Sequence, residues 1–157
     1  MAITIFHGSG VIVTTPEVRI TKYSKDFGPG FYCTKIYSQA ERWAIRHNRK
    51  KKNKVPTVNL YIYEPNHALN YKIFEEMTDE WLDFIVACRN GTQHSYDIVE
   101  GPMADDTIWD FIDAFIRKEI SRAAFWELAK FKHPTHQISF HTEAALQCLT
   151  FEKAVQV

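Results

Sequence analysis

Net charge is the first thing this sequence lacks. Nineteen Lys and Arg balance nineteen Asp and Glu over 157 residues. The whole chain is therefore not an electrostatic binder of nucleic acid or membrane, although a local patch stays open. Long apolar runs are missing as well. No stretch approaches the roughly 20 residues of a membrane helix, and "MAITIFHG" has neither the charged start nor the long apolar middle of a secretory signal. Cysteine pairs are absent: Cys33, Cys88 and Cys148 are odd in number and far apart. That argues against a disulfide framework or a CxxC metal or redox motif, and for a reducing, cytoplasmic setting. There are no internal repeats and no Pro/Ser linker, so residues 1–157 read as one domain, long enough to bury a proper core.

What is present is an ordinary globular hydrophobic share of 45% with a high aromatic share of 14%. "ITIF" (Ile3 to Phe6) is a short buried strand ending near Gly8 and Gly10, and "PEVRIT" is a second extended piece. "FGPGFYCT" is a turn feeding a short strand. "YSQAERWAIRHN" has helical spacing, with Ala40, Trp43, Ala44 and His47 on one face. "TVNLYIYEP" alternates from Thr57 to Tyr63 as a strand closed by Pro65, and "ALNYKIF" and "YDIVEG" are further strands. "TDEWLDFIVACRNG" reads as a helix capped by Thr78, with Gly91 beyond its end. "ADDTIWDFIDAFIRK" carries Asp105 and Asp106 at its positive end, and Ser121 caps "RAAFWELAKF". "HQISF" is a strand, "TEAALQCL" a short helix, and the tail "TFEKAVQV" has no assignment. Without a regular βαβ rhythm, the expected class is α+β.

His7 ends an apolar strand beside Gly8, where a backbone can approach a ligand; its structural reading is a histidine satisfied by backbone at a strand end. Tyr32 is equally a half-buried strand tyrosine with its hydroxyl bonded. Together they say more. "FHGS", then "FGPGFYCT", then "YSQAERWA" resembles the first two motifs of the diphtheria-toxin-like and poly(ADP-ribose)-polymerase-like ADP-ribosyltransferases. There a strand-borne His-Gly precedes a "GxGxYF" segment and a helix. The likeness covers about the first third of the chain. The remainder, including "YDIVEGPMADDTI" and "AFWELAKF", looks like a bacterial family of undetermined function grouped with that superfamily.

The resemblance implies a split antiparallel sheet with flanking and inserted helices, and NAD as co-substrate. His7 would bond the adenine-side ribose, and Gly8 would clamp the nicotinamide carboxamide through its main chain. Tyr32 would stack on the nicotinamide, and Trp43 falls where relatives carry the second aromatic. Ser9, Gly30 and Phe31 complete the cofactor segment. Ala40 stands where relatives have a serine. Gln137 stands where they have a catalytic glutamate, giving a His7, Tyr32, Gln137 trio in which the rings of His7 and Tyr32 converge on a folded dinucleotide. A glutamine bonds a ribose hydroxyl but takes no proton near neutral pH, which favours mono-ADP-ribosylation over chain extension.

Rival carboxylates are Glu100 and Glu143, read as turn or first-turn residues, and Asp97, Asp105 and Asp106, the last two read as helix-end residues. "RHNRKKKNK" is a solvated basic loop, a grip for NAD's pyrophosphate, or a contact for a nucleic-acid acceptor. His133, His136 and His141 match no zinc spacing, so no metal is expected. The expected function is an NAD-dependent mono-ADP-ribosyltransferase acting on protein or on RNA or DNA. It would serve as a bacterial toxin restrained by an antitoxin or as a phage-defence effector, away from membranes. The alternatives are a silent domain that binds NAD, nucleic acid or a partner, and a hydrolase that uses water.

Overall fold

The computed structural model describes residues 1–20, 25–130 and 135–157. Strands β1 (Ile3–Ser9), β3 (Thr57–Tyr63) and β7 (Leu149–Gln156) form a three-stranded antiparallel sheet in the order β1-β3-β7. A second sheet of four strands runs β2 (Phe31–Cys33), β6 (Gln137–Phe140), β5 (Ile98–Gly101) and β4 (Tyr71–Ile73). It is mixed: β4 and β5 are parallel, whereas β5–β6 and β2–β6 are antiparallel. The wholly antiparallel arrangement expected from the sequence is therefore not observed. Parallel neighbours need a crossover, and α2 (Asp79–Arg89) supplies it.

Among the described residues the sheets meet at one rung. Phe6 and Thr34 exchange both main-chain hydrogen bonds, each 2.8 Å, in an isolated bridge between β1 and the end of β2.

Side-chain alternation sends each sheet's two faces into different environments. Ile5, Tyr61 and Tyr63 of the first sheet pack with Phe31, Cys33, Ile138 and Phe140 of the second in one core. The opposite face of the second sheet carries Val99 and meets α2, α3 (Asp106–Ile116) and α4 (Arg122–Ala129) in another, where Trp81, Ile85, Ile112 and Phe125 are fully buried. Helix α1 (Tyr37–Asn48) lies on the outer face of β1, with Ala40 and Ala44 buried. A short α5 (Glu143–Leu146) precedes β7. Among the described residues, no helix is long and apolar enough to cross a membrane.

Local chemistry sets the helix starts. Thr78, Asp105, Ser121 and Thr142 accept main-chain N–H bonds at the heads of α2, α3, α4 and α5, each stabilising by about 1 kcal/mol. Three elements differ from the sequence reading. Residues 16–20 of "PEVRIT" form no strand, and Thr21 lies outside the described residues. "TFEKAVQV" supplies most of β7, an edge strand with much of its length exposed, so it lacks the apolar signature of its neighbours. On α1 the buried set is Gln39, Ala40, Ala44 and Asn48; Trp43 is 41% exposed and stacks on His47 at 4.0 Å.

Gly8 is where α1 touches the sheet: a Cβ there would sit 2.3 Å from the Ala40 carbonyl oxygen. Gly8→Ala must push a helix off its strand and is expected to destabilise by about 1–3 kcal/mol. Calorimetry should register a melting temperature lower by several degrees.

Candidate functional site at the junction of the two sheets

The single rung decides which main-chain groups are left over. Along a strand, the N–H and C=O of a residue point to one side, and that side alternates. Phe6 directs both toward Thr34, so those of Gly8 point the same way, into the interval where β1 and β2 no longer pair. Tyr32, two positions back from Thr34, stands across that interval. The edge expected to clamp a ligand is therefore aimed at Tyr32. The close approach of α1 by itself leaves no room for a side chain at Gly8.

His7 and Tyr32 meet, but not ring to ring. His7 donates its Nδ1–H to the Tyr32 carbonyl over 2.6 Å and stacks on Phe31 with centroids 4.2 Å apart. Phe31 faces the inter-sheet core, whereas the Tyr32 ring packs toward the helical core. The two rings thus lie on opposite faces of β2, which corrects the expected convergence. Successive residues of an extended strand face opposite ways, and His7 is a neighbour of the first of the pair. The bond fixes the neutral tautomer, with Nε2 an acceptor that has no partner among the described residues. Burial pushes the His7 pKa down to about 4.

On the Tyr32 side the turn is held from many directions. Gly28 has φ +87°, a conformation that favours glycine. The Tyr32 hydroxyl donates to the Gly28 carbonyl at 2.5 Å and accepts the Phe27 N–H at 3.0 Å, and burial holds it in the phenol form. His94 Nε2–H donates to the Phe27 carbonyl and His141 Nδ1–H to that of Pro29, while Gly30 lies against His141. Phe27 is fully buried among the helices. Lys25 extends its ammonium between two rings, 5.9 Å from the Tyr32 centroid and 5.2 Å from that of Trp43. The two rings expected to enclose nicotinamide enclose a cation of the chain itself, and burial lowers the Lys25 pKa. Ser9 is apart from this group; its Oγ accepts from Val11 N–H in the following turn.

Gln137 opens β6 on the Tyr32 side and is 6% exposed. Its Nε2 donates to Asp26 Oδ2 at 2.9 Å and to the Pro102 carbonyl at 3.3 Å. Asp26, itself 5% exposed, takes Arg89 Nη2 on Oδ1 at 2.5 Å and the Ala104 N–H on Oδ2 at 3.0 Å. The Arg89 guanidinium lies 3.8 Å above the Trp109 ring. Gln39 of α1 holds the preceding residue, His136, through both its main-chain N–H and C=O.

Neither Asp26 nor Arg89 stood out in the sequence. An Asp before Phe-Gly looks like turn chemistry, and an Arg in a last helical turn looks like dipole compensation. Asn59 was also missed: fully buried opposite His7, it accepts the Val13 N–H and donates to the Val11 carbonyl, securing the segment that leaves β1.

The other candidates lie elsewhere. Glu100 is not a solvated turn residue: it belongs to β5 and binds Lys35 Nζ at 2.7 Å and His136 Nε2 at 3.0 Å. Those bonds hold its carboxyl at about 2 against the opposing pull of burial. Asp105 caps α3, Asp106 pairs with Arg46, and Asp97 ties Asn70 to Thr142. Glu143 sits in the first turn of α5. The basic run ends α1 and lines a concavity of about 470 Å³ with Arg46, His47, Arg49, Lys50 and Lys51. Among the described residues no three His, Cys, Asp or Glu side chains are grouped to hold a metal; His133 lies outside them.

These shifts set a pH dependence. His7 and His141 are both held near 4, each mainly by burial. In the unfolded chain they protonate near 6.5, so their contribution is whole above pH 6.5 and declines as pH falls toward 4. Melting temperatures recorded from pH 8 to pH 4 should drop most steeply between those values, and His7→Gln should flatten part of the slope.

Comparison with curated proteins finds no match. The family described as "Protein of unknown function (DUF3990)" matches residues 3–151. That span takes in the four-stranded sheet, β1 and β3, the junction and the Asp26–Gln137 contact, and the chain belongs to this family.

Proposed function

We propose that the chain is an NAD-dependent mono-ADP-ribosyltransferase. One observation carries this reading. At a junction where two sheets share a single rung, the Gly8 main-chain edge is aimed at Tyr32, the Tyr32 and Trp43 rings face one ammonium, and the Gln137 amide lies on the Tyr32 side of its sheet beside Asp26. The pairing of a three-stranded with a four-stranded sheet at that rung supports an ADP-ribosyltransferase-like split. The residues fit the cofactor's reactive end. Rings that accept an ammonium also accept a pyridinium, which is flat and cationic, and an outward-facing N–H and C=O pair complements a carboxamide.

The chemistry follows from the leaving group. The bond between the nicotinamide nitrogen and ribose breaks, its electron pair departing with nicotinamide, and a nucleophilic atom of the acceptor bonds to the ribose carbon. Gln137 offers an oxygen to a ribose hydroxyl but takes no proton, so the acceptor's proton goes to solvent or to a base of its own. His7 holds β1 to β2 through the Tyr32 carbonyl and so steadies the strand that carries the Tyr32 ring. The setting proposed with this activity is a cytoplasmic bacterial toxin or phage-defence effector, restrained by an antitoxin and modifying a protein or a nucleic acid.

A second reading, a silent domain that binds without turnover, is favoured by one feature: Lys25 occupies the space between the two rings.

Incubation with NAD, with nicotinamide release and ADP-ribose on added protein, RNA and DNA followed together, separates the readings. Release with a modified acceptor is expected. Tyr32→Ala and Trp43→Ala should each reduce it about tenfold or more, whereas Tyr32→Phe should keep NAD binding and lose the hydroxyl's hold on the turn. Binding without release would support the silent domain, and release without a modified acceptor a hydrolase.

A further inference from the structure

We propose that Asp26 is a positioning residue that makes glutamine, rather than glutamate, the working side chain at position 137. What the Gln137 oxygen does rests on the transferase reading; how it is held rests on geometry alone.

The two groups facing Gln137 Nε2, Asp26 Oδ2 at 2.9 Å and the Pro102 carbonyl at 3.3 Å, can only accept. The amide nitrogen must therefore face them, and Oε1 must turn the other way. Oε1 has no partner among the described residues, yet it is not a buried unsatisfied atom. The small surface that Gln137 retains thus includes this oxygen. Asp26 cannot turn aside to relax the arrangement, because Arg89 holds its Oδ1 and the Ala104 N–H its Oδ2. The result is an acceptor oxygen of fixed direction, set by a carboxylate behind it.

A glutamate at 137 would put carboxylate oxygen against carboxylate oxygen in a buried site, with a carbonyl alongside. Like charges at this range disfavour one another strongly, and one carboxyl would have to stay protonated. Asp26 therefore excludes the residue that the resemblance would install. It also explains why an uncharged amide occupies that position without leaving a buried donor unbonded.

The experiment compares Gln137→Glu, Asp26→Asn, the double variant, and Gln137→Met, which keeps the volume and removes the oxygen. Urea midpoints without NAD and kcat and KM for nicotinamide release are measured for each. Gln137→Glu should lower the midpoint and reduce kcat about a hundredfold. Asp26→Asn with Gln137→Glu exchanges donor and acceptor across the contact, and should recover part of the midpoint and part of kcat relative to Gln137→Glu alone, the rest being lost with the Arg89 and Ala104 bonds to the carboxylate. Gln137→Met should stay folded and lose kcat more than KM.

A Gln137→Glu protein as stable and as active as the parent, or a double variant no better than its worse single, would overturn the proposal. If the midpoints follow the expected pattern but even the parent releases no nicotinamide, the Asp26–Gln137 lock stands and the transferase reading falls.

Discussion

Everything at the junction depends on two sheets sharing one rung instead of a ladder. A full antiparallel ladder between β1 and β2 would consume the main-chain groups of Gly8 and Tyr32 and seal the interval. With a single rung at Phe6 and Thr34 the ladder stops there, and the Tyr32 carbonyl takes the His7 ring N–H instead. Residues on either side are then assigned to different environments by alternation alone. Phe31 and His7 go to the inter-sheet core and Tyr32 to the helical core.

A junction held so lightly needs support from the flanks, and the 26–30 turn provides it. Phe27 anchors it in the helical core, and the Tyr32 hydroxyl, His94 and His141 take up its main-chain groups. Asp26 adds an ion pair with Arg89 that is largely withdrawn from water. Such a pair contributes little net stability compared with apolar packing, but losing one member is severe. Its value here is directional, since it leaves the carboxylate a single orientation and passes that orientation to Gln137.

The fold was legible where burial is one-sided or ends are capped. From Leu60 to Tyr63, β3 alternates half-buried and buried residues, and Thr78 and Ser121 announce α2 and α4 through their hydroxyls. It was illegible where tertiary contact overrides pattern. The spacing of Trp43 and His47 fits the buried face of α1, yet the close seat of Ala40 over Gly8 rotates the helix so that both rings lie outward. Gly8, Tyr32 and Gln137 were nameable from the motif. Their mutual orientation was not, because it arises from a register between strands far apart in the chain. Asp26 and Lys25 carried no periodic signal at all. Their roles come from what the turn is pressed against.

The placement of β7 has a consequence for how the molecule behaves at high concentration. As the outer member of its sheet among the described residues, it has an eight-residue edge that no other described strand pairs, long enough to recruit a strand from another copy. Glu152 and Lys153, both exposed midway along it, set hydrated charges where an incoming strand would have to lie. Any strand added there would first have to strip water from those two charges.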